Sequence, residues 1–314
     1  MLSKVVVRLL SSLIVIVGSL VLVFVIVYML PGDPTDHMLD ASATPEMIAQ
    51  LRHQLGVDRP FYVQFTEYVG GMLRGDFGKS LMNGEPVLPK IWKNFPSTLK
   101  LAAASALIAA VIGITLGVLS AVHRGGWLDM TARVVGLFGI SMPTFWTGIL
   151  LILIFSVHLK WLPSIGSNGW QTLVLPAFAK GIVGAGFIVR LVRNSMLETI
   201  SEPYIVTLRA KGVSERLVMY KHALRNALIP ALTMIGVLSG ELLAGAVVIE
   251  TVFSRQGIGR VVSEALMAKD LPVVQGVIFF TAILYVLVNL LVDLSYSFID
   301  PRVRRTAAKE GRMR

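Results

Sequence analysis

The chain has 314 residues, 54% of them hydrophobic and only 15% charged, with a net charge of +10 and no cysteine. A soluble domain of this length holds roughly 45–50% apolar and about 25% charged residues, so this excess, gathered into long runs, points to an integral membrane protein. The absence of cysteine excludes disulfides, thiolate chemistry and cysteine-based metal sites.

A helix needs about 20 apolar residues to cross the hydrocarbon. Six segments meet that length: Leu9–Leu30, Leu99–Val122, Val134–Leu159, Leu173–Val192, Leu228–Phe253 and Val273–Ile299. The first follows Lys4 and Arg8 but is too long for a signal-peptide core and lacks an A-x-A site, so it reads as a retained span. The fourth contains Pro176 and Lys180; its glycines Gly181, Gly184 and Gly186 suit close helix packing. With the N-terminus inside, the inner segments 1–8, 123–133, 190–225 and 300–314 carry 17 Lys/Arg and 6 Asp/Glu. The outer segments 31–100, 159–172 and 250–273 carry 11 of each. The positive charge is therefore a topology signal facing an anionic leaflet, not a nucleic-acid footprint.

The first outer segment holds "GMLRGDFGKS", Gly71–Ser80. Its tail imitates the end of a Walker A loop, and Asp76–Gly78 imitates the magnesium triplet of protein kinases. A Walker A loop needs glycine five residues before Gly78, where Leu73 stands, and no strand precedes it. The kinase catalytic loop and glycine-rich strand are missing too. The segment reads instead as two amphipathic helices. Thr44-Pro45-Glu46 starts one, with Ile48, Leu51 and Leu55 on a single face and Gly56 at its end. The other starts near Pro60 and carries Phe61, Phe65, Tyr68 and Met72; Gly75–Gly78 is the turn that leaves it. This cap either touches an external partner or seals the outer end of the bundle.

The longest inner loop, Ser201–Thr233, is too polar to cross a membrane. It reads as a short helix from Pro203 to Lys211 stopped by Gly212. A second helix follows, capped by Ser214 with Glu215 in its first turn, and runs towards Pro230, where the fifth span begins. Such a displayed helix is either a docking element or part of a solvated basic loop.

Tyr204–Pro230 resembles the cytoplasmic loop of binding-protein-dependent ABC importer permeases, and more narrowly those of the dipeptide/oligopeptide/nickel group. The family pattern Y-x-x-T-A-R-A-K-G is met by Tyr204, Thr207, Arg209, Ala210, Lys211 and Gly212, with Leu208 replacing its usual alanine. H-x-L-R-N-A-x-x-P is met by His222, Leu224, Arg225, Asn226, Ala227 and Pro230. "LPGDP" (Leu30–Pro34), "LGVDRPFYVQF" (Leu55–Phe65), "GDFGKS", "SMPTFW" (Ser141–Trp146), "WLPSIG" (Trp161–Gly166), "VFSRQGIGR" (Val252–Arg260), "DLPVVQ" (Asp270–Gln275) and "NLLVDLSYSFIDPR" (Asn289–Arg302) extend the resemblance along nearly the whole chain. Gln256 stands where a proline is common.

The resemblance implies an all-α integral membrane fold of six spans. Both termini are cytoplasmic, the helical cap is on the outer side, and a cytoplasmic coupling helix lies between spans four and five. The domains are then 1–30 (first span), 31–98 (periplasmic cap) and 99–314 (five-span core), with the coupling loop at 194–226. It implies a bacterial inner-membrane protein that pairs with a second homologous permease, one or two cytoplasmic ATPase subunits and an extracytoplasmic binding protein, in contact with membrane lipid. ATP and magnesium would be used by the ATPase subunits, so this chain is expected to bind no cofactor or metal and to hold no catalytic residue.

Tyr204, Thr207, Leu208, Arg209, Ala210, Lys211 and Gly212 would meet the ATPase, with Arg209 and Lys211 pairing with acidic rims. His222, Arg225, Asn226 and Pro230 would hold the loop to its own bundle. Cargo would be a dipeptide, oligopeptide, glutathione, nickel or a metal chelate.

A carboxylate inside a span is costly, so Glu241 faces either a watery pathway and a cationic group of the cargo or a structural partner. Met142, Phe145 and Trp146 form either a hydrophobic gate or ordinary packing, and Asp293 an anchor. Gly113–Gly117 and Gly236–Gly240 are G-x-x-x-G pairs suited to close packing. The histidines fall at no metal-ligand spacing; His123 and His222 read as surface groups. An ion-coupled secondary carrier is the alternative; it would show inverted repeats and broken helices in both halves, and no convincing repeat is visible. A membrane enzyme would need clustered catalytic groups.

Overall fold

The computed structural model describes residues 2–29, 44–244 and 246–299, with side chains described for 10–29, 44–243 and 246–292. "LPGDP", the tail 300–314 and the side chain of Asp293 lie outside the described residues. Among those described, the protein is built of helices: α1 (Leu2–Met29), α2 (Pro45–Leu55), α3 (Phe61–Leu73), α4 (Val87–Val122), α5 (Trp127–Ser141), α6 (Thr144–Leu151), α7 (Gln171–Ile200), α8 (Pro203–Ala210), α9 (Glu215–Leu217), α10 (Leu224–Ala244), α11 (Val247–Val252), α12 (Ile258–Met267) and α13 (Leu271–Ile299). π-Helical stretches continue α6 through Ile152–His158 and join α9 to α10 through Val218–Ala223.

Among the described residues, five helical stretches are long and apolar enough to cross a membrane, and a bent pair makes a sixth candidate. That pair corrects the expectation of a continuous third span over Val134–Leu159. Helix α5 stops at Ser141, α6 starts at Thr144, and the two are bent by 109°. The cause is Pro143. Its ring forces the preceding residue out of the helical region, and Met142 is extended at φ −88°, ψ 133°.

The fifth span is corrected as well. The expectation was Leu228–Phe253. The helical path instead starts at Glu215, passes through the π-helical stretch and Pro230, and ends at Ala244; α11 is separate. Pro230 therefore marks no boundary, because α10 packs along α7 on both sides of it.

The chain forms two compact units, Met1–Thr98 with Gln256–Val286, and Leu99–Arg255 with Leu287–Arg314. The first is centred on Leu20, Val23, Met72, Phe77, Val87, Ile91, Ile258, Val273, Val277 and Phe280, all buried. Within it α2 and α3 form as their signals dictate. Thr44 Oγ1 accepts from the Met47 amide, Pro45 occupies the first turn, and Gly56 closes α2 at φ +68°. Phe61, Phe65 and Tyr68 of α3 pack their rings on Phe24 of α1. The "GDFGKS" segment is a structural loop. Asp76 Oδ1 accepts from the Gly78 amide at 2.9 Å. Ser80 Oγ donates to Asp270, whose other oxygen accepts from the Leu81 amide at 3.0 Å. Ser80 and Asp270 are both buried.

The second unit is organised around α7. A Cβ at Gly113 or Gly117 of α4 would lie 2.5 Å from Ile188 Cβ or 2.7 Å from Val192 Cβ of α7. A Cβ at Gly186 of α7 would lie 2.4 Å from the Gly136 carbonyl oxygen of α5. The three helices approach this closely because each of these glycines brings only a hydrogen to its contact. Gly186→Ala is thus expected to destabilise the purified protein by about 1–3 kcal/mol. Gly70→Ala in α3, with nothing within 4 Å, should be neutral or slightly stabilising. Melting temperatures of the two variants in one detergent check this; equal shifts would refute it.

Candidate functional site

Helix α8 is one turn short of the length at which isolated helices begin to hold, so tertiary contacts must fix it. Pro203 opens it, Lys211 is its C-cap, and Gly212 follows at φ +75°, a conformation that favours glycine. On its inner face Ile205 is fully buried in a cluster with Val118 and Ala121 of α4, Val192 and Met196 of α7, and Val218, Ala223 and Ala227 of the α9–α10 path; Leu208 packs partly against that cluster. Two polar links complete the docking. Asn226 Nδ2 donates to the Tyr204 hydroxyl at 2.7 Å. Arg209 donates two hydrogen bonds to Glu215, at 3.0 and 2.6 Å.

Arg209 is paired with Glu215 of its own loop, one tight turn away. The carboxylate raises the pKa of the Arg209 guanidinium, which stays charged across the physiological range. The Ser214 hydroxyl, expected as the cap of α9, makes no cap hydrogen bond. Asn226 joins the first turn of α10 to α8 through the Tyr204 hydroxyl. His222 is half-buried in the π-helical stretch, while Arg225 and Pro230 are exposed.

Pro203, Val206, Thr207 and Ala210 sit at i, i+3, i+4 and i+7, on the face of α8 opposite Ile205 and Leu208, and all four are exposed. Val206 is 60% exposed. Sequence reasoning passed over Val206 and Ile205, although this spacing alone separates the two faces. Thr207 spends its hydroxyl on the Pro203 carbonyl. Lys211 is exposed beside this face.

The other singled-out residues lie elsewhere in the second unit. Met142 is at the α5–α6 break, and Phe145 and Trp146 follow it, 47% and 42% exposed. Glu241 of α10 is exposed. Its electrostatic neighbour is Lys180, which is buried in α7 and donates to the Leu242 carbonyl at 2.8 Å. Glu250 is fully buried and also acts on Lys180, although its sequence position reads as the start of an outer loop. Asp129 is a further buried carboxylate that the sequence reading left in a basic loop. It takes two hydrogen bonds from Arg193, at 2.8 and 3.0 Å, one from Ser120 at 2.6 Å and one from the Gly125 amide at 3.0 Å. Among the described residues no group of three or more His, Asp or Glu is placed to hold a metal.

The short helix α8 is thus docked between two long apolar helices, α7 and α10. Comparison with known proteins gives the chain its class. Residues 113–305 match the family described as binding-protein-dependent transport system inner membrane component, and residues 1–102 match the N-terminal part of such membrane components. The chain belongs to this family of multi-pass bacterial inner-membrane permeases.

It is 41% identical to the glutathione transport system permease protein GsiC of Escherichia coli, over 97% of this chain and 99% of that protein. It is 37% identical to the dipeptide transport system permease protein DppB of Alkalihalophilus pseudofirmus, over 95% and 98%. In fold it is similar to a chain of the inward-facing MetNI methionine ABC transporter, with a TM-score of 0.58 and 23% identity over 68% of this chain and 98% of the other.

Replacing Ile205 by Asp would place an unpaired charge in the cluster that holds α8. Trypsin cleavage after Arg209 and Lys211 is expected to speed up by about tenfold, because the loop opens locally more often. An unchanged cleavage rate would show that α8 is held by other means.

Proposed function

We propose that this permease forms one half of the translocation pathway of an ATP-driven importer of short peptides, glutathione among them, with a second homologous permease as the other half. In this reading both termini and α8 face the cytoplasm, and α2 and α3 face outward, where a binding protein delivers cargo. One or two ATPase subunits receive α8. They use ATP and magnesium, and this chain binds no cofactor of its own. ATP-driven closure of the ATPases draws the two coupling helices together and switches the pathway between inward- and outward-facing states.

The observation that carries this reading is the exposed face of α8. A small, partly apolar surface of Pro203, Val206, Thr207 and Ala210 is presented on a helix immobilised by Ile205, Tyr204–Asn226 and Arg209–Glu215. A rigid helix showing an apolar face within a polar loop is suited to insertion into a partner's groove. Lys211 beside it supplies the charge for an acidic rim. The segregation of basic residues supports the orientation. The peptide cargo rests on the two relatives, whose identity extends over nearly their full lengths. Glu241 is assigned to the pathway as the group that meets a peptide ammonium, and Met142, Phe145 and Trp146 to a gate at the bend.

The test is mild-detergent purification from native membranes. A second permease and Walker-motif ATPases are expected to co-purify. Val206→Arg should lower ATPase retention by about tenfold, the scale of a central interface residue. A chain recovered alone would overturn the reading and favour the secondary carrier. Glu241→Gln should leave the complex intact and cut short-peptide uptake by about tenfold or more, the scale of a lost charge-assisted contact. Unchanged uptake would remove Glu241 from the pathway.

A further inference from the structure

The cluster that holds α8 draws on α4, α7, α8 and the α9–α10 path, and α5 contributes no residue to it. Yet α5 leads directly into the break at Met142–Pro143. What ties the first turn of α5 to the rest is Asp129. Its side chain is 1% exposed, and every oxygen is used. Oδ1 accepts from Ser120 of α4 and from Arg193 Nε of α7; Oδ2 accepts from Arg193 Nη2 and from the Gly125 amide. Arg133 of α5 adds a looser contact at 3.4 Å. One carboxylate therefore joins the end of α4, the turn before α5, α5 itself and α7. Arg193 sits two turns before the end of α7, and only Ser201 and Glu202 separate α7 from α8.

We propose that Asp129 is the positioning residue that makes α5 move as one body with α7 and α8, so that displacement of α8 reaches the bend carrying Phe145 and Trp146. The proposal rests on the reading of α8 as the ATPase-docking helix. The glycine contacts hold α5 to α7 further along, at Gly136 and Gly139, about two to three turns from Asp129. They resist approach and separation but supply no directional bond. A bidentate arginine–carboxylate pair supplies one, fixing both orientation and register. Without it, the first turns of α5 can slide or tilt against α7 when α8 is pulled.

The chain has no cysteine, so no native thiol of this subunit competes for a spin label; reactive cysteines of the partner subunits are replaced beforehand. Trp127→Cys at the exposed start of α5 and Glu202→Cys at the exposed α7–α8 junction place one label on each side of the pair. The assembled importer is purified with its ATPases, and the label–label distance is measured by pulsed electron resonance, without nucleotide and after trapping with ATP and vanadate. With Asp129 intact, the distance is expected to stay constant between the two states. With Asp129→Asn, it should change by about 2 Å or more, the scale of helix sliding. ATPase retention and basal ATP hydrolysis should stay within about twofold of the unmutated complex, because the α8 surface is untouched.

Arg193→Lys keeps the charge and loses the fork, and should give a smaller change in distance. It also serves as the test if Asp129→Asn fails to assemble. A distance that changes equally with Asp129 present, or that stays fixed in both variants, overturns the proposal. If the unmutated chain retains no ATPase, the α8 reading has failed, and the proposal falls with it for a reason that the retention measurement identifies before any distance is compared.

Discussion

Lipid offers no hydrophobic reward for bringing two apolar helices together, so association must come from close van der Waals contact and polar links. In this permease the limiting contact is that of α7 with α4 and α5. Gly113 and Gly117 face Ile188 and Val192, and Gly186 faces the Gly136 carbonyl, at separations that leave no room for a methyl group. Much else in the second unit follows. Because α7 is held on two sides, it can run unbroken for 30 residues through Pro176 and deliver α8 at a defined place. Its buried Lys180 finds the Leu242 carbonyl, as a cation in that setting must.

Rigidity on one side sets off irregularity on the other. The break after α5 and the π-helical stretches after α6 and before α10 fall where the helical ladder is interrupted or under-wound. Such interruptions cost hydrogen-bond energy and are kept where geometry requires them. At fifteen residues α5 is about 22 Å long, short of the roughly 30 Å hydrocarbon. It works as part of a bent pair and not as a span alone. Backbone freed at such a bend must be satisfied by protein or by water lining a cavity.

The ends of two short helices were legible. Thr44, Pro45 and Gly56 delimit α2, and Pro203 and Gly212 delimit α8, since caps act within a turn. Pro143 was equally visible but was hidden by averaging. A window over Val134–Leu159 is apolar throughout, so hydropathy alone made one span of two helices. Pro230 misled in the opposite sense: a helix packed along α7 tolerates the missing amide. Neither Asp129 nor Glu250 could be recognised, because each owes its burial to residues distant in sequence; Asp129 and Arg193 are 64 positions apart. Arg209 and Glu215 are close in sequence, but their pairing depends on the turn at Gly212, which orients the two short helices towards each other.

The Ser80–Asp270 link spans 190 residues, and the unit that contains it is made of the first 98 residues together with Gln256–Val286. At about 5–20 residues per second, the loop after α3 waits roughly 10–40 s for its partner to be synthesised. During that interval Phe77, Val87 and Ile91 have no Val273, Val277 or Phe280 to pack against. The N-terminal third of this permease thus enters the bilayer as an unfinished half. It depends on α13, and a chain cut short before that helix would leave it exposed to quality-control proteases.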